Sequence, residues 1–163
     1  TRQLCVEEIE NRFGKVDAIA GVATGGIALG ALVAQELGLP FIYVRSKAKA
    51  HGLGNAIEGD LSVLSNVVVI EDLISTGQSS LKAVAALREA GVEVKGLLAI
   101  FTYGFDVAEA AFAEANCMWS TLTDYSTMLD QAMQEGYITP EQRTLLDSWN
   151  SDPQAWSDKF NEQ

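Results

Sequence analysis

Positive charge is what this chain has least of. One histidine and 11 lysines and arginines stand against 22 aspartates and glutamates, a formal net charge of −11. A surface this acidic repels a phosphate backbone, so a nucleic-acid partner is not expected. Cysteine is nearly absent too: Cys5 and Cys117 lie far apart with no metal-ligand spacing. They read as two reduced, partly buried thiols and fit a cytoplasmic protein. No apolar run approaches the roughly 20 residues of a membrane-crossing helix, and no basic stretch leads into an apolar one. Neither a membrane partner nor a secretory leader is expected. Neither G-K-S/T nor G-x-G-x-x-G occurs, so the Walker loop is excluded and "GVATGG" is weak evidence for a dinucleotide site. The chain opens on Thr1 rather than Met, and an N-terminal segment is expected to precede it.

What is present is enough for one domain. The 163 residues are 48% hydrophobic, ordinary for a globular protein. Residues 2–13 have a helical period, with Leu4, Ile9 and Phe13 on one side, Glu7, Glu8 and Glu10 on the other, and Gly14 closing it. Strand-like runs follow at 16–22, 40–44, 66–72, 94–101 and 118–122. Helical patterns lie between them at 27–38, 79–91 and 106–116, the last with Asp106 as its expected N-cap. Two or three polar helices are expected, at 124–135, 140–150 and 153–161. Strands alternating with helices predict an α/β fold: a doubly wound, mainly parallel five-stranded sheet with helices on both faces. Ligands of such sheets sit beyond the C-terminal strand ends, which points to the loops at 23–26, 45–57 and 71–79.

The most informative stretch is "VVVIEDLISTGQSS", Val67 to Ser80. Ser75, Thr76, Gly77, Gln78 and Ser79 lead into a helix, where free backbone N–H groups and the positive helix end converge. Hydroxyls, and a glycine that lets the backbone approach closely, suit a phosphate cradle; a plain cap by Thr76 or Ser79 is the bland alternative. Before the loop stand Glu71 and Asp72. At a strand end both carboxylates can face the crevice, accepting hydrogen bonds from the vicinal hydroxyls of a ribose or attracting Mg²⁺. A solvated strand end is the bland reading. A receiver domain, which also pairs two acids, needs a later phosphorylatable Asp and a later Lys at strand ends, and 94–101 and 118–122 supply neither.

As a combined string, a hydrophobic strand, two acids, two variable residues, S-T-G-x-S and a helix resemble the signature of the type I phosphoribosyltransferases. The resemblance extends to the orotate group of that family. "YVRSKAKAHGLGNAIEG" looks like its mobile loop, "AGVATGGIALGALVA" like its pyrophosphate-contacting loop and helix, and "AIFTYGF" like the strand after the signature in a bacterial branch. The resemblance covers about residues 16 to 125 and implies a single phosphoribosyltransferase domain over 1–163. It implies transfer of phosphoribosyl from 5-phosphoribosyl-1-diphosphate to orotate, with Mg²⁺ held mainly by the substrate and Glu71 or Asp72 as the protein's candidates.

The implied site residues are Glu71 and Asp72 for the ribose, and Leu73, Ile74, Ser75, Thr76, Gly77, Gln78 and Ser79 for the 5′-phosphate, with Ser75 also meeting orotate. Arg45, Lys49 and His51 are implied for the departing pyrophosphate. That basic loop could be a solvated surface segment. Against this, His51 is the only histidine, sits among glycines, and a lid carrying it would neutralise departing charge. The resemblance also implies a homodimer with shared sites.

The chain departs from the family pattern in three places. Ser46 stands where one branch has a second basic residue, with Lys47 one further on. The segment Phe101-Thr102-Tyr103-Gly104 has no Arg to meet the orotate carboxylate, and no hood segment with the family's Asn-Arg stretch is visible. A phosphoribosyltransferase for another base and a non-catalytic ligand sensor of the same fold are the rival readings.

Overall fold

A computed structural model describes residues 1–45, 56–62 and 64–161. In chain order the elements are α1 (Arg2–Arg12), β1 (Ala18–Val22), α2 (Gly25–Leu37), β2 (Phe41–Val44), β3 (Ile57–Glu58), β4 (Asn66–Ile74), α3 (Gln78–Glu89), β5 (Glu93–Thr102), α4 (Asp106–Glu114) and β6 (Trp119–Asp124). Helices α5 (Tyr125–Gln134), α6 (Pro140–Ser151) and α7 (Pro153–Asn161) follow. The sheet order is β3-β2-β1-β4-β5-β6, and every pairing is parallel except β2 with β3. The five expected strands are the parallel ones. Ile57–Glu58 adds a sixth, pairing antiparallel with Tyr43 and Val44. Among the described residues no helix is long and apolar enough to cross a membrane.

The β-branched run of β4 is buried on both faces, as the centre of a parallel sheet requires. Val67 and Val69 pack with Ala83, Val84 and Leu87 of α3 and Phe112 of α4. Val68 and Ile70 pack on the opposite face with Cys5 and Ile9 of α1 and Val33 and Ala34 of α2. Burying each such side chain contributes about 1.5–3 kcal/mol, so the two layers together fix where the strand ends lie. Helix α1 presents Cys5, Ile9 and Phe13 to this core; Leu4, expected inside, is 55% exposed. The core stripe therefore runs i, i+4, i+8 from Cys5. Both thiols are free and buried.

The close fit of α2 under β4 depends on Gly26, because a Cβ there would lie 2.3 Å from the Ile70 carbonyl oxygen. The C-terminal helices are held by specific chemistry. Asp124 caps α5 by accepting from the Thr127 N–H. Thr139 and Gln142 form a reciprocal capping box at the start of α6. Arg143 of α6 pairs with Asp130 of α5 and with Asp147. Trp149 packs its ring against Tyr103, Phe105 and Tyr125, docking α6 over the end of β5. Trp119 stacks on Phe112, as a core position should. Asp106 is the first residue of α4 rather than its cap; Phe105 occupies the cap position, and no side chain caps this helix.

Candidate active site

The C-terminal ends of β1, β2 and β4 meet the first turns of α2 and α3. No side chain caps either helix, so the bland alternative of a Thr76 or Ser79 cap is not realised. Their first-turn N–H groups carry the positive ends of two helix dipoles, which favours anions on both sides of β4.

Strand β4 runs two residues past the acid pair. Its pairing with β5 continues through Leu73↔Phe101 and Ile74↔Thr102. Side-chain alternation therefore persists at Glu71 and Asp72, and the expectation that both carboxylates face one crevice is corrected. Glu71 turns to the α3 side and is 4% exposed. Its Oε1 accepts from the Asp72 N–H at 3.0 Å, and its Oε2 accepts from the Ser80 hydroxyl at 3.1 Å. Asp72 turns to the α2 side and is exposed. Its Oδ1 accepts from the Leu73 N–H at 2.8 Å. The carboxylate lies so close to α2 that a Cβ on Gly25 would fall 1.9 Å from Oδ2. Asp72 thus offers its carboxylate outward beside a helix start, while Glu71 spends both oxygens on the protein.

Burial pushes the Glu71 carboxyl up to about 7, helped by the neighbouring Asp72 carboxyl, while the Asp72 N–H and the Ser80 hydroxyl oppose the shift. A carboxyl whose folded pKa is raised binds more protons folded than unfolded between its ordinary 4.5 and about 7. Its contribution to stability therefore falls as pH rises through that window. Chemical denaturation at several pH values should show this fall in the wild type. The same series on Glu71→Gln should show a shallower slope across that window; equal slopes would contradict the assignment.

The remaining expected residues separate. Thr76, Gln78 and Ser79 line a cleft of about 350 Å³ with Val22, Ala23, Val44 and Arg45. Ser75 lines a different cleft of about 770 Å³, bounded by Gly104, Phe105 and the α6–α7 junction at 150–154; Thr76 borders both. Ile74, expected among the ligand-binding residues, is fully buried, and its carbonyl accepts from the Tyr103 N–H. Its side chain joins the α3-side core with Val67 and Val69. Leu73 is 38% exposed.

Gly77 has φ +77°, a conformation that favours glycine. A Cβ there would meet the Phe112 ring at 2.8 Å. The lack of a side chain here serves the turn and the core, beside the close ligand approach expected of it. Arg45 is half-buried: its Nη1 lies 3.2 Å from Glu58 Oε1, and its N–H donates to the Ala56 carbonyl. Ser46, Lys47, Lys49 and His51 lie outside the described residues.

One cation at the cleft is absent from the expected set. Lys82 lines the same wall as Gln78 and Ser79. Its position one turn along the helix from Gln78 is the sequence signal that finds it. Among the described residues no group of three His, Cys, Asp or Glu side chains could hold a metal ion.

The family model for the phosphoribosyl transferase domain matches residues 1–124. An orotate phosphoribosyltransferase of Phocaeicola vulgatus is 61% identical over 145 residues, covering 89% of this chain and 68% of that protein. Among solved structures, an orotate phosphoribosyltransferase from Aeropyrum pernix superposes with a TM-score of 0.70 at 28% identity, covering 84% of this chain and 77% of the other. Leishmania donovani UMP synthase superposes with a TM-score of 0.75 at 27% identity over 91% of this chain, which spans only 32% of that longer one. The chain belongs to the phosphoribosyl transferase family and, within it, to the orotate phosphoribosyltransferases.

Proposed function

We propose that the chain transfers the phosphoribosyl group of 5-phosphoribosyl-1-diphosphate to orotate, giving orotidine 5′-monophosphate and pyrophosphate in pyrimidine biosynthesis. The observation that carries this reading is the end of β4, where an outward-facing Asp72 carboxylate stands between two helix starts that no side chain caps. In the reaction the C1–O bond to the diphosphate breaks and the leaving oxygen keeps the electron pair. A C1–N bond forms to the base, which gives up its ring proton. Positive charge develops on the ribose and negative charge on the leaving group, so positioning and electrostatics do the work and no protein nucleophile is needed.

The residues take the following roles in this reading. Asp72 accepts from the ribose hydroxyls. The N–H groups of Thr76, Gln78 and Ser79 and the hydroxyls of Thr76 and Ser79 hold the 5′-phosphate at the start of α3. Ser75 meets the orotate ring. Lys49 and His51, with Arg45 at the cleft rim, neutralise the departing pyrophosphate. The donor set fits a Mg²⁺ carried mainly on substrate oxygens, since Asp72 offers one exposed carboxylate at the end of β4 and no group of three ligating side chains stands among the described residues. When bound, that ion supplies charge neutralisation at the diphosphate. The protein works in the cytoplasm, and residues 1–163 form a single phosphoribosyltransferase domain.

The reading includes a two-fold homodimer in which Lys49 and His51 serve the neighbouring subunit's site. A subunit-mixing experiment tests it. Lys49→Ala damages only the basic loop, and Asp72→Ala only the ribose site, so each homodimer should be nearly inactive. If the loop acts in trans, a mixed dimer carries one doubly damaged site and one intact site, and activity returns. A mixture that demonstrably exchanges subunits and stays inactive would place the loop over its own chain's site.

A further inference from the structure

Glu71 is the one charged side chain among the described residues that is buried, and Ser80, at 1% exposed, is its partner. An acid in a core is expensive, and an apolar side chain of similar size would be more stable there. Its two oxygens account for its presence. One holds the Asp72 N–H, at the entry to the loop; the other holds the Ser80 hydroxyl, just past its exit. The two contacts bracket Leu73–Ser79. They tie the end of β4 to the first turn of α3 across the base of the segment that carries Thr76, Gln78 and Ser79. The Ile74 carbonyl, pinned by the Tyr103 N–H at 3.2 Å, fixes the same segment to β5.

We propose that Ser80 is a positioning residue. Through Glu71 it holds the 73–79 loop in its binding geometry before substrate arrives. A loop ordered in advance does not spend binding free energy on its own ordering. This inference rests on the phosphoribosyl diphosphate site proposed above, and it deepens that reading by naming what holds the loop of that site in place.

The test combines a substrate-free and a kinetic measurement. In Ser80→Ala, amide hydrogen exchange across residues 72–81 of the free protein should quicken, while exchange in β1 and β5 stays as in the wild type. The KM for phosphoribosyl diphosphate should rise about tenfold, the loss of one hydrogen bond to a charged group. The KM for orotate should rise as well, because Ser75 sits on the same 73–79 loop. Ser80→Cys, which keeps the size and a weaker donor, should fall between wild type and Ser80→Ala. In a Glu71→Ala background, Ser80→Ala should add less than about twofold, as expected for residues that act as one unit.

Unchanged exchange across 72–81 would overturn the proposal. So would a fall in kcat alone, or full multiplicative effects in the double variant. The acceptor reading fails separately: a wild type that uses a base other than orotate would refute that reading. The exchange result and the KM for phosphoribosyl diphosphate would still decide the role of Ser80.

Discussion

Asp72→Ala is expected to lower kcat/KM for phosphoribosyl diphosphate by roughly 10²–10⁴, the loss of two charge-assisted hydrogen bonds at about 1.5–3 kcal/mol each. Folding stability should barely change. The side chain is exposed, and its one hydrogen bond within the protein is to the N–H of the next residue. Exposed substitutions of this kind usually stay within about 0.5 kcal/mol. Glu71→Ala should show the reverse balance in stability, because it strips partners from a part-buried N–H and a buried hydroxyl. Steady-state kinetics beside thermal denaturation separates the two acids. If Asp72→Ala kept wild-type kinetics, the ribose assignment would fall.

Gly26→Ala should be the most damaging small substitution in the fold. The added Cβ would lie 2.3 Å from the Ile70 carbonyl oxygen and 3.1 Å from its carbon. Both are backbone atoms of the central strand and cannot swing away as a side chain can. Helix α2 must retreat from β4, and overpacking of this kind costs about 1–3 kcal/mol, more where the backbone is fixed. Alanine's better helix propensity returns about 1 kcal/mol at most. A net loss of about 2 kcal/mol corresponds to a Tm lower by roughly 4–8 °C for a chain of this size. The retreat also moves the start of α2 away from Asp72, so affinity for phosphoribosyl diphosphate should fall with stability. A Tm within about 1 °C of wild type would mean that α2 does not approach β4 this closely.

Much of this was readable before any coordinates. β-branched runs such as Val67–Ile70 and the helical pattern after Ser79 are strong local signals, and they produced the five parallel strands and their helices where expected. The combined string of acids and S-T-G-x-S pointed to the end of β4, where Thr76, Gln78 and Ser79 line a cleft. What could not be read depended on partners distant in sequence. Ile57–Glu58 is too short and too close to glycines to have a period, and becomes a strand only by pairing with Tyr43 and Val44. Two adjacent acids look like a strand end, yet β5 carries the pairing on to Ile74. That extension decides which way each carboxylate points. Cys5 replaces Leu4 in the core because the orientation of α1 on the sheet is a tertiary choice. The contact of Gly77 with Phe112 joins residues 35 positions apart, and no local pattern announces it.

The most direct test of the central claim is turnover measured with a panel of bases. The purified chain is incubated with phosphoribosyl diphosphate and Mg²⁺, and orotate, uracil, adenine or hypoxanthine is supplied in turn. The account predicts that orotate alone is consumed, with orotidine 5′-monophosphate and pyrophosphate formed in equal amounts, and that Asp72→Ala abolishes most of this turnover. Consumption of adenine or hypoxanthine instead, or tight binding of phosphoribosyl diphosphate with no turnover of any base, would contradict it.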